Sequence, residues 1–107
     1  MKLPKVQNMR SSSGNEVPNQ FVIITNEGEY FQSYSTIIAF IPRGTYTKHQ
    51  TQEENKIQLD VNSWDCSVTT GKYRNKFLNE DKKETERKIK AGTYRLVDLN
   101  CNKETLP

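Results

Sequence analysis

One histidine, two cysteines and one tryptophan are spread over 107 residues, and that scarcity excludes a good deal of chemistry. Cys66 and Cys101 stand far apart without CxxC spacing, and His49 has no second histidine, so no ligand pair nucleates a zinc site. We expect no metal, no cofactor, and reduced thiols instead of a disulfide framework. Long apolar runs are missing too. The longest, Ile37-Ile38-Ala39-Phe40-Ile41, has five residues, against the ~20 that a transmembrane helix needs. Lys2 and Lys5 are followed by Gln7, Asn8, Arg10 and three serines, not by the apolar stretch of an export signal. The expected location is the cytoplasm of the producing cell, with no membrane partner.

Catalytic motifs are equally sparse. Thr69-Thr70-Gly71-Lys72 suggests a phosphate loop, but Cys66 stands where its first glycine belongs and Tyr73 where Ser or Thr belongs. Cys66 and His49 lack any signal of an orienting third group or oxyanion site. The pair Glu53-Glu54 lies in a polar stretch that favours solvated carboxylates. We expect a protein that is not an enzyme.

Charge is what the chain does have, and it is unevenly placed. The formal net charge is +3, with 27% of residues charged and 33% apolar, at a mean hydropathy of −0.89. Residues 72–95 hold nine cations against four carboxylates, while the segments on either side are each slightly acidic. Such clustering marks a polyanionic or acidic partner; a solvated helix face is the competing explanation.

The apolar pattern predicts a small α+β fold. Residues 1–20 are polar and punctuated by Pro4, Pro18 and a Ser-Ser-Ser-Gly-Asn loop, so they read as partly flexible, with room for a short strand near 5–9. Residues 21–25 and 29–34 flank the turn residues Asn26-Glu27-Gly28 as a hairpin. Residues 36–41 form a central strand, and residues 56–61 alternate Ile57, Leu59 and Val61 on one face. Between them, residues 43–55 read as a long loop. Thr69 or Thr70 can cap a helix reaching about Asn79, with Tyr73 and Phe77 as its buried stripe. Asp81 with Glu84 reads as the capping box of a second helix that stops at Gly92, and residues 94–99 form a last strand. The expected architecture is one domain: an antiparallel sheet of four to five strands, with two helices packed on one side.

On the second helix, Glu84 with Lys88 and Glu86 with Lys90 form favourable i, i+4 pairs. That leaves Lys72, Arg74, Lys76, Lys83, Arg87 and Arg95 as candidate contacts for something negative. Trp64, Tyr73 and Tyr94 lie among them, as stacking on single-stranded bases requires. Core packing is the competing use, for Trp64 at the junction of sheet and helix and for Tyr73 on the helix stripe.

The stretches Gly14-Asn15, Asn19-Gln20-Phe21, Tyr30-Phe31-Gln32-Ser33-Tyr34, Ile38-Ala39 and Trp64-Asp65, with the run S-x-T-T-x-K-Y-R-x-x-F-L ending at Leu78, carry a resemblance. They resemble a family of small phage and prophage proteins of Bacteroidetes and related hosts, a domain of unknown function. The resemblance implies a protein made in the host cytoplasm that works by binding. Expected first is a non-enzymatic inhibitor of a host defence complex, an anti-CRISPR. It would act on an RNA-guided, RNA-targeting type VI effector nuclease or its guide RNA through the basic segment. A nucleic-acid-binding accessory protein of phage replication or transcription is the second expectation, and a virion structural or assembly protein the third. No set of functional residues comes with the resemblance.

Overall fold

A computed structural model describes residues 4–43 and 56–100. Along the chain come β1 (Lys5–Arg10), β2 (Glu16–Ile24), β3 (Gly28–Ser33), β4 (Thr36–Pro42), β5 (Gln58–Asp60), α1 (Val68–Leu78), α2 (Lys82–Ala91) and β6 (Arg95–Val97). The strands lie in one sheet in the order β1-β2-β3-β4-β5-β6. The first five pair antiparallel, while β6 runs parallel to β5, with Leu59 opposite Leu96. The α+β class is as expected, but the sheet is six-stranded and mixed among the described residues, not an antiparallel sheet of four to five strands. The additional strand is β1, and the two helices account for the parallel pair. They form the crossover that lets the returning strand enter beside β5 in the same direction, as a parallel pair demands.

Residues 1–20, read as partly flexible with room for a short strand near 5–9, hold that strand as β1 and the start of β2. Most of their described part is a hairpin: β1 pairs from Lys5 opposite Ile24 to Arg10 opposite Glu16. The loop at 11–15 is closed by Ser11 N–H donating to Asn15 O at 2.8 Å and Gly14 N–H to Ser11 O at 2.9 Å. The loop expected at 43–55 lies, apart from Arg43, outside the described residues, as does Cys101.

Strand alternation divides the sheet into two faces. Phe31, Ile38, Ala39 and Leu59 are fully buried on the face that receives Tyr73, Phe77 and Leu78 from α1 and Ile89 from α2. The rings of Phe31 and Phe77 lie 5.7 Å apart. Burying one such side chain stabilises the fold by roughly 1.5–3 kcal/mol. On the other face Val6, Ile23, Tyr30 and Phe40 align across β1–β4, and the Tyr30 and Phe40 rings stack at 4.4 Å. Gly28 starts β3 where a Cβ would stand 2.2 Å from Ile41 O, so no larger residue fits there without moving β4.

Helix ends follow local chemistry, with one correction. The cap of α1 is Ser67, not Thr69 or Thr70: its backbone is extended and its side chain accepts from Thr70 N–H at 3.1 Å. Thr70 turns inward instead, its hydroxyl 3.0 Å from that of Ser33. Asp81 caps α2 by accepting from Glu84 N–H at 2.9 Å, and Gly92 ends it at φ 81°, both as expected.

Buried polar groups hold the rest. Asp60 is 2% exposed; its carboxylate accepts from the Ser63 hydroxyl at 2.5 Å and from Leu99 N–H at 2.8 Å. Burial pushes this carboxyl up, but its hydrogen bonds from Ser63, Leu99, Asn100 and Asn62 outweigh that and hold it below the ordinary carboxylate value. Asn100 finishes the sheet beside β4: its side-chain amide accepts from Ile37 N–H at 2.7 Å and donates to Ile37 O at 2.8 Å. Gln20, buried beside Ser33, has no partner for either amide atom. Such an unsatisfied group costs about 1–3 kcal/mol.

Tyr34 and Ser35 form the two-residue loop between β3 and β4, closed by the pairing of Ser33 with Thr36. Tyr34 sits at φ 57°, in the left-handed region, and is 58% exposed. For a bulky L-residue that conformation costs about 1–2 kcal/mol.

Candidate nucleic-acid interface

The residues singled out from the sequence part company once α1 is oriented. Thr70, Tyr73 and Arg74 are buried on its sheet-facing side, so at about 100° per residue Lys72 and Lys76 fall on the opposite crest. Both are exposed, and α1 contains no carboxylate. Lys72 Nζ lies 5.4 Å from the centre of the Tyr73 ring. Lys76 Nζ donates to Arg10 O at 2.5 Å, joining the crest to the end of β1. That contact sets the Arg10 backbone beside the crest and adds a third exposed cation to this end of the sheet. The Arg10 guanidinium donates to Gly14 O at 2.9 Å and reaches Glu16 at 3.9 Å, with both side chains more than 60% exposed, an ion pair that contributes little in water. The sequence reading missed Arg10 because a contact across 66 positions leaves no local signal.

Tyr73 and Arg74 are withdrawn from the surface. Tyr73 is part of the core at 6% exposure, and Arg74 is 1% exposed. The Arg74 guanidinium lies over the Trp64 ring at 5.2 Å and donates to Trp64 O at 2.6 Å, Asp65 Oδ1 at 3.3 Å and Asn75 Oδ1 at 2.9 Å. It ties the segment entering α1 to the helix itself. Trp64 is half-buried and packs against the core, at the junction where the sequence placed it. Asp65 bridges onward to Lys82 at 2.8 Å; hydrogen bonds from Lys82 and Arg74 hold its carboxyl below the ordinary value.

On α2 the cations are more compensated. Arg87 donates to both oxygens of Glu84. Lys88 donates to Glu80 at 2.8 Å, and its ammonium stands 3.8 Å from Glu84. Glu80, its side chain only 6% exposed, also accepts from the Thr85 hydroxyl at 2.6 Å and the Tyr94 hydroxyl at 2.8 Å. Tyr94, 5% exposed, is a buried clasp and not a stacking ring, and burial, reinforced by that carboxylate, pushes its phenol up to about 12. Lys83 is exposed, and Arg95 is half-buried at the start of β6. The structure thus sets Lys72 and Lys76 on one crest, with Lys76 bonded to the Arg10 carbonyl. It places Lys83 and Arg87 on a separate helix and assigns Arg74 and Tyr73 to the interior.

Cys66 is an exposed free thiol, and His49 lies outside the described residues. No group of three or more His, Cys, Asp or Glu side chains is arranged for a metal ion among the described residues. No helix among them is long and apolar enough to cross a membrane.

Fold and surface together define a small α+β protein whose first helix turns a carboxylate-free cationic crest outward. The chain belongs to a family of unknown function, DUF8033, which matches residues 4–92, from just before β1 to the glycine that ends α2. No curated protein and no solved structure matches it.

Proposed function

We propose that this chain is a non-catalytic protein that binds single-stranded nucleic acid through Lys72, Lys76 and Arg10. The observation that carries the reading is the crest of α1: two exposed lysines one turn apart and no carboxylate on their helix, with the carbonyl of a third cationic residue, Arg10, bonded to Lys76. Phosphates spaced along a flexible strand suit such a row, and releasing their counterions drives binding. The inhibitor expected from the family resemblance is the same chemistry put to one use, with the guide or target RNA of a host RNA-guided nuclease as the strand engaged.

Reversing the three cations together (Arg10→Glu, Lys72→Glu, Lys76→Glu) is expected to weaken binding of a labelled oligouridylate of about 12 nucleotides at least about tenfold at near-physiological salt. Fluorescence anisotropy reads the affinity, and circular dichroism checks that the fold is kept. Equal affinity of the triple variant and the parent would remove this surface from the function.

A further inference from the structure

We infer that Tyr34 is a stacking platform for one unpaired base of that strand, an inference that rests on the nucleic-acid reading above. The backbone at Tyr34 is left-handed, at φ 57°, a conformation that glycine or asparagine adopts with little strain and a bulky aromatic residue does not. It is locked there from both sides: Tyr34 N–H donates to Asn19 O at 2.7 Å, and Tyr34 O accepts from Gln32 Nε2 at 2.6 Å. Strain of this kind persists only where the surroundings over-determine it, yet Tyr34 itself is 58% exposed. A strained residue whose ring remains in water contributes little to the fold, so its use lies outside the chain.

The surroundings indicate what the ring meets. Residues 30–42 contain no charged side chain, nor do residues 17–26, which hold the exposed Asn19. An uncharged tip edged with hydroxyls and amides suits a flat, neutral base whose edge carries donors and acceptors. The phosphates need cations, and the tip is fastened to the inward side of the helix whose outward crest bears them: Ser33, next to Tyr34, is held 3.0 Å from Thr70 of α1. One element thereby presents a ring and the other presents charge, the combination by which single strands are held without reading their sequence.

The test compares the parent with Tyr34→Asn and Tyr34→Phe, using the same oligouridylate and thermal melts of each protein. Tyr34→Asn is expected to bind about tenfold more weakly, the loss of one base stack, while melting no lower than the parent. Tyr34→Phe, which keeps the ring, is expected to bind like the parent. If the parent binds and Tyr34→Asn binds equally well, the stacking role is overturned and the cationic surface stands. If the parent does not bind the oligonucleotide at all, the nucleic-acid reading fails and takes this inference with it.

Discussion

Arg74→Ala is expected to destabilise the protein by about 3–5 kcal/mol, the usual result of breaking a buried charged network by removing one partner. Few domains have more than ~5–15 kcal/mol to lose. The guanidinium is buried, satisfies the Trp64 carbonyl, reaches Asp65 and Asn75, and lies over the Trp64 ring. Truncation empties that volume and leaves a carbonyl and an indole without support at the entry to α1. Arg74→Met, which refills much of the space, is expected to cost clearly less, because Arg74 Nε has no partner to lose. Urea titrations compare the three proteins. If Arg74→Ala keeps the parent's midpoint but fails to bind nucleic acid, the arginine is a surface contact and its placement in the interior is wrong.

Asp60→Ala is expected to cost about 2–3 kcal/mol near neutral pH, since hydrogen bonds to a charged group are worth ~1.5–3 kcal/mol and several converge here. The loss should depend on pH in a defined direction. The folded carboxyl titrates below its unfolded value, so its contribution is complete above about pH 4 and disappears as pH falls through the folded value. The gap in urea midpoint between parent and Asp60→Ala should therefore close on acidification. A gap that stays constant down to the lowest pH at which both fold would show that Asp60 acts by packing and not as a carboxylate.

Local signals were legible in the sequence, and contacts distant along the chain were not. Turn chemistry at Asn26-Glu27-Gly28 and the apolar run of β4 fixed the hairpins, and Asp81 and Gly92 marked the ends of α2. The first half of β2, Glu16 to Gln20, looks like loop because its strand character comes from pairing with β1 and not from alternation. The parallel entry of β6 depends on where two helices deliver the chain, which no short pattern encodes. Among the cations, setting aside the i, i+4 pairs of α2 left Lys72 and Lys76 only as part of a larger cluster. Charge alone could not show that Arg74 turns inward beside Tyr73, nor that Glu80 binds Lys88 and Tyr94 within the fold. Asp60 and Val61 exchange the roles that alternation gave them: Asp60 is buried and Val61 is 47% exposed, because the chain leaves β5 into a turn built on the Asp60 carboxylate.

The salt dependence of oligouridylate binding by the parent protein tests the central claim most directly. Three cations engaging phosphates of a single strand predict that log K falls with log salt at a slope of about −2, from roughly −0.7 per contact. The Arg10, Lys72 and Lys76 triple reversal should flatten that slope. A parent whose affinity does not change with salt, or a slope that survives the triple reversal intact, would contradict it.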